Sequence, residues 1–150
     1  MNWDPKWTPP LLGQRKSPLI QEIYFPDRWK MLACCIMLNL TGRKQLDGIV
    51  KEFFEKYPDP ISLLEADDED IKNIIKPLGM YNKRTMTLKR FSREFISENW
   101  ADAKDLHGIG KYGSDSDRIF YLGEWKSIEP TDGALISYKK FLEEYYGVDQ

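Results

Sequence analysis

Residues 106–119 read LHGIGKYGSDSDRI, and they run directly into an apolar stretch, IFYLGEW, at 119–125. Three glycines, a lysine, a tyrosine and the only histidine of the chain fall within the first segment. Glycines this closely spaced serve a sharp turn or a close backbone approach rather than burial. Gly108 and Gly110 flank Ile109 and can take backbone angles closed to β-branched residues. Ile109 is then expected to drop between two helices as an apolar anchor. The N–H groups around Gly110–Gly113 would open the next helix, where they lack intrahelical partners and the helix dipole favours an anion. Three readings compete: a bare tight turn, a mononucleotide loop, and a helix–hairpin–helix that holds a DNA phosphate. The mononucleotide loop fails, because no G-x-x-x-x-G-K-[ST] and no preceding strand are present. The helical flanks favour the hairpin, whose backbone contacts to phosphate carry no sequence information; the bare turn stays open on local pattern alone.

Outward from the hairpin the chain reads as helices joined by short loops. RWKMLACCIMLNL (28–40) is apolar almost all round, which predicts a buried central helix, capped by Pro26–Asp27 and broken at Thr41–Gly42. Leu46, Ile49, Val50, Phe53 and Phe54 recur at helical spacing between Lys44 and Tyr57. A further helix is expected from Ser62 to Gly79, its acidic cluster at 65–70 being a solvated face with helix N-terminal charge rather than a metal site. Met80–Tyr81 make a turn, and residues 82–100 form a helix with Lys83, Arg84, Lys89, Arg90 and Arg93 on a basic side and Met86, Phe91 and Phe95 inward. That helix is followed by the hairpin, a helical run to about Gly123, a connector at 127–132, and a last amphipathic helix from Ala134. No alternating strand pattern or internal repeat occurs. The fold class is all-α. Residues 1–18 are proline-rich and read as an extended arm, with the helical domain spanning 19–150.

At 150 residues the chain is expected to form one domain with a sizeable core. The net charge of −2 predicts no polyanion partner by itself, although nucleic-acid binding depends on local patches. Cys34 and Cys35 are adjacent in an apolar run and read as reduced core residues. No C-x-x-C or Cys/His cluster offers a metal site, two cysteines cannot hold an iron–sulfur cluster alone, and no cofactor is expected. No apolar run approaches a membrane span, and no signal peptide is seen at the N-terminus.

A second constellation lies downstream, in SIEPTDGALISYKK (127–140). Asp132 precedes an amphipathic helix and on its own reads best as an N-cap. One helix separates it from the hairpin, so the chain can fold back and bring Asp132 beside Tyr112.

These features resemble one family. The L-x-G-I-G hairpin with a later aspartate resembles the helix–hairpin–helix, Gly/Pro-rich loop and Asp superfamily of DNA glycosylases. KWTPP (6–10), PLGMY (77–81), LHGIGKYGSDSDRIF (106–120), EWK (124–126) and P-x-D (130–132) resemble the catalytic domain of its methyl-CpG-binding-domain thymine glycosylase branch, which lacks an iron–sulfur cluster. The resemblance implies two helical lobes with the active site in the cleft between them. It implies a nuclear, monomeric enzyme of base excision repair that flips thymine or uracil out from opposite guanine and hydrolyses its N-glycosidic bond. Asp132 would be the essential carboxylate, ionised, stabilising the oxocarbenium-like sugar and positioning water. Tyr112 stands where lyase-competent relatives carry a Schiff-base lysine, which implies a monofunctional hydrolase; it would pack against the flipped nucleotide. Lys111 is its neighbour, not its match. Gln21 would read the pyrimidine edge, its amide offering donor and acceptor. Leu40, where the vertebrate enzymes carry arginine, and Met80, in place of leucine, would wedge into the duplex. His107, Gly108, Gly110, Lys111 and Gly113 would face the DNA backbone. Ala134 replaces a lysine of the vertebrate pattern, so the resemblance implies a less cationic DNA contact and a shallower salt dependence. The sequence carries no methyl-CpG-binding domain, which implies a catalytic fragment or a stand-alone homologue.

Overall fold

The computed structural model describes residues 4–147; residues 1–3 of the expected arm and 148–150 of the expected domain lie outside the described residues. Nine α-helices occur among them and no strand: α1 (Ile20–Tyr24), α2 (Arg28–Leu38), α3 (Arg43–Asp47), α4 (Val50–Lys56), α5 (Pro60–Glu65), α6 (Asp68–Ile75), α7 (Tyr81–Ser97), α8 (Lys111–Asp117) and α9 (Gly133–Tyr146). α8 continues without interruption into a π-helical turn, Arg118–Leu122.

α2 is the hub, as its all-round apolarity predicts. Met31, Leu32, Ala33, Cys34 and Met37 have no exposed surface, and the helix touches α1, α3, α7 and α8. Asp27 caps it by accepting from the Lys30 N–H at 2.9 Å. The α3–α6 group packs against one flank of α2 and α7, while α1 meets α8 through Gln21 and α9 packs on the π turn through Tyr138 and Phe120. The two cysteines are free and buried.

Two expected single helices are each divided. The span 44–57 breaks at Gly48, which ends α3 before Val50 starts α4, because glycine gains least from the helical state. The span from Ser62 breaks at Ala66, because Asp59 and Asp67 each start a helix by accepting from Ser62 N and Glu69 N. Asp68 of the acidic cluster pairs with Lys89 at 2.6 Å.

α7 departs from its expected faces. Its buried stripe is Arg84, Thr85, Leu88, Phe91, Ser92 and Phe95, and Met86 falls off this stripe, 71% exposed. The basic side is thinner than expected, since Arg84 turns inward and Lys89 bonds the Ala66 carbonyl. α7 also ends at Ser97, short of the expected Trp100, in a left-handed Glu98.

The proline-rich segment has no helix before Ile20, yet it is docked rather than free. Pro9 and Pro10 are buried, and the Lys6 N–H donates to the Tyr121 carbonyl at 2.7 Å. Trp7 lies over Gly123, where a Cβ would come within 3.1 Å of the indole. Gly123 also has φ +69, so glycine both ends the π turn and leaves room for the indole. Arg15 stacks over Tyr138 and Phe141 and pairs with Glu22.

Candidate functional site

The hairpin forms as the glycine spacing predicts, but its two glycines do different work. Gly108 has φ +86, and a Cβ there would stand 2.6 Å from Thr87 Cγ2 and 3.3 Å from Ile36 Cδ1. Gly110 has φ −101, and a Cβ there would meet nothing within 4 Å. Only Gly108 therefore needs glycine for the fold, and the expectation of special backbone angles at both positions is corrected at Gly110. Ile109 is the anchor expected of it, 8% exposed and seated against Gly113, whose absent side chain makes the room. Replacing Gly108 with alanine is expected to cost about 2–3 kcal/mol, from left-handed strain plus overpacking. Gly110→Ala is expected to cost less, about 0.5–1 kcal/mol, the scale of losing glycine at an N-cap. Urea denaturation midpoints of the two variants check the split.

The turn after Gly108 brings α8 to the mouth of a cleft of about 770 Å³. That volume lies within the roughly 300–1,000 Å³ of small-molecule sites. Its walls come from Gln21 of α1, from Leu38–Thr41 and Arg43 after α2, and from Gly108–Gly113, Asp132 and Ala134. Gln21, Tyr112 and Asp132, up to 111 positions apart, thus share one cavity with Leu40 at its rim.

Asp132 is the N-cap of α9, its Oδ2 accepting from the Leu135 N–H at 3.0 Å. The capping and functional readings are compatible, because the cap uses one carboxylate oxygen and orients the other. Tyr112 is half-buried and accepts from Gln21 Nε2 at 2.8 Å. Burial pushes its phenol well above the ordinary tyrosine range, and the neighbouring Asp132 adds to the rise, so the hydroxyl keeps its proton. Gln21 is 1% exposed and its Nε2 also donates to Ser116 Oγ at 3.0 Å. Cys35 closes one wall; burial pushes its thiol up to about 12, which leaves it neutral.

Leu40 is 82% exposed with φ +59, and Met80 is 48% exposed with φ +47. Both are bulky side chains held on left-handed backbone. Arg84 explains how: its guanidinium donates to the carbonyls of Gly79, Ile36, Met37 and Asn39 and to Thr41 Oγ1, at 2.6–3.2 Å. One buried cation thus ties together the two turns that carry Leu40 and Met80. Met80 and His107 do not line the cleft. The His107 N–H donates to Glu94 Oε1 at 2.7 Å, which ties the hairpin to α7. Lys111 points along α8, with Nζ on Asp115 Oδ2 at 2.8 Å and on the Glu129 carbonyl at 2.9 Å.

Sequence reading missed Arg84, Ser116 and Arg43. Arg43 reaches the cleft three positions past Leu40, braced by Asp47 and the Pro18 carbonyl. A basic residue opening the helix after a wedge loop was the available signal. Ser116 and Arg84 had none, since each looks like an ordinary polar position on its own helix. Among the described residues no group of three or more His, Cys, Asp or Glu is arranged to hold a metal, and no helix is long and apolar enough to cross a membrane.

Residues 33–149 match the family described as HhH-GPD superfamily base excision DNA repair protein. The chain is 37% identical over 145 residues to a methyl-CpG-binding domain protein 4-like protein of Arabidopsis thaliana, covering 95% of this chain and 32% of that protein. It is 36% identical over 95 residues to a thymine/uracil-DNA glycosylase of Pyrobaculum aerophilum, covering 59% of this chain and 41% of that one. The chain therefore spans about a third to two fifths of the length of these relatives. The fold is similar to that of a thermostable thymine-DNA glycosylase, with a TM-score of 0.66 at 19% identity, over 88% of this chain and 73% of that one. An all-helical fold, an anchored Gly-x-Gly hairpin and a cleft with an aspartate at its mouth agree with these matches: the chain belongs to the HhH-GPD superfamily of base excision DNA repair proteins.

Proposed function

We propose that the chain is a monofunctional DNA glycosylase that flips thymine or uracil out from opposite guanine and hydrolyses the N-glycosidic bond. The observation that carries this reading is the convergence of Asp132, Tyr112 and Gln21 on one cleft with Leu40 at its rim. A base stacked in a duplex is out of reach, and a mismatched one costs less to extrude. Leu40 and Met80, fixed on their turns, fill the space it leaves. The hairpin N–H groups from Gly110 to Gly113 take the phosphate beside the flipped nucleotide, with Gly108, His107 and Lys111 on the same side of the DNA. As the bond to the base breaks, positive charge grows on the sugar, and the free oxygen of Asp132 stabilises it and aligns the attacking water.

The absence of lyase chemistry rests on two residues. Tyr112 cannot form an imine, and the Lys111 amine is engaged by Asp115 and Glu129. The protein works as a monomer on duplex DNA, in the nucleus, with the segment from Lys6 to Arg15 braced against the helical domain. Single-turnover base release on G:T, G:U and A:T duplexes is the test. Release from the two mismatches but not from A:T, with no borohydride-trapped adduct, is expected. A trapped adduct would overturn the monofunctional assignment, and no release from either mismatch would overturn the glycosylase.

A further inference from the structure

The Ser116 hydroxyl donates to the Tyr112 carbonyl, one helical turn back, at 2.8 Å. A carbonyl only accepts, and it is a much stronger acceptor than the neighbouring Cys35 sulfur, so the single proton of Ser116 is committed to Tyr112 and the thiol stands by as a weak donor. The group that faces its lone pairs across the α1–α8 contact is Gln21, and it must be a donor. The Gln21 amide is thereby set: the NH₂ points at Ser116 and the carbonyl oxygen points away. The second N–H is spent on Tyr112 Oη. Gln21 Oε1 makes no hydrogen bond among the described residues, is not sealed in the interior, and belongs to a residue that lines the cleft. The Tyr112 oxygen accepts from Gln21, which leaves its own proton free to donate. Beside Ser116 the Gln21–Tyr112 pair thus offers the cleft an acceptor, Gln21 Oε1, next to a donor, the Tyr112 hydroxyl.

We propose that Ser116 is a positioning residue for base selection: by locking the Gln21 amide it makes the cleft complementary to an imide edge, an N–H beside a C=O. The proposal rests on the glycosylase reading above. Thymine, uracil and 5-substituted uracils present such an edge at N3. Cytosine has nearly the same size but carries a lone pair at N3, which would face the Oε1 lone pair with no proton between them. An amide free to turn could swap its NH₂ toward that lone pair and accept cytosine. Ser116 removes this option without touching the base.

The test compares a uracil and a cytosine nucleotide, each made resistant to hydrolysis by a 2′-fluoroarabino sugar and each set opposite an abasic site so that neither has a pairing partner. Dissociation constants are measured by fluorescence anisotropy for the wild type, Ser116→Ala and Ser116→Cys. The wild type is expected to prefer uracil by about a hundredfold, because a site built to hydrogen-bond rejects an analogue that leaves its groups unpaired. Both variants are expected to lower this ratio by about tenfold, since alanine offers no acceptor and a thiol only a weak one. A ratio of affinities is insensitive to the fraction folded, and the thiol keeps the packing if alanine does not. An unchanged ratio in both variants, or a wild type that binds the two bases alike, would overturn the proposal. Uracil release from an ordinary G:U duplex, measured on the same wild-type preparation, tests the glycosylase reading separately.

Discussion

Asp132→Asn is expected to slow single-turnover release of uracil from a G:U duplex by about a thousandfold, the scale of losing one preorganised charge-stabilising group. The substitution is nearly isosteric, and asparagine caps a helix as well as aspartate does. The bond to the Leu135 N–H survives, so α9 keeps its start and the thermal midpoint is expected to hold. What disappears is the negative charge at the mouth of the cleft. An amide cannot stabilise a cationic sugar, and its oxygen is too weak a base to assist water. Affinity for the uncut duplex is expected to stay or to tighten, because the hairpin and the wedges are untouched. A rate close to that of the wild type would remove Asp132 from the chemistry and leave it only its capping role.

Asp117→Ala is expected to cost about 3–5 kcal/mol of stability, the scale of breaking a buried ion pair from one side. Asp117 lies on α8 five positions after Tyr112, and Arg28 opens α2. The two are bidentate, with Nε on Oδ1 at 2.7 Å and Nη2 on Oδ2 at 2.6 Å, and both side chains are almost fully buried. The guanidinium also stacks on Trp100 and Tyr121 at 4.9 and 5.7 Å. Burial pushes the Asp117 carboxyl up against the pull of Arg28, so desolvation opposes part of what the pair contributes. Its main structural effect is to clamp α8, and with it Tyr112 and the hairpin, onto the central helix. A domain of this size has only about 5–15 kcal/mol to lose in total. A lowered urea midpoint with an unchanged slope is the expected signature. The double change Arg28→Met with Asp117→Leu is expected to recover part of the loss, because neither charge is then stranded. Equal losses in the single and double variants would show that packing rather than charge pairing holds α8 in place.

Much of this protein is legible in its sequence. The hairpin block carries part of its own geometry, since Ile109 seats against Gly113 four positions on, although Gly108 is fitted to Thr87 and Ile36 from other helices. The caps at Asp27 and Asp132 also act over three positions. The apolarity of 28–40 announced a central helix. The errors were local as well. Gly48 and Asp67 divide helices that periodicity alone runs together, because apolar spacing does not register a cap or a stop within a matching pattern. Met86 lies one helical step, about 100°, beyond Thr85 of the buried stripe, a shift that residue type alone does not register.

What the sequence determined by itself is therefore the set of short-range instructions: helices, caps, and the Ile109–Gly113 anchor of the hairpin. Each of these is decided within about four residues by backbone conformation and nearby hydrogen bonds. Only the tertiary structure decided which polar groups meet. Gln21 finds Tyr112 and Ser116 from 91 and 95 positions away, Arg28 finds Asp117 from 89, and Arg84 gathers carbonyls from up to 48. Those contacts depend on how the helices stack. A hydrogen bond's donor and acceptor must come within about 3 Å, and no periodicity in the chain encodes that distance between elements so far apart.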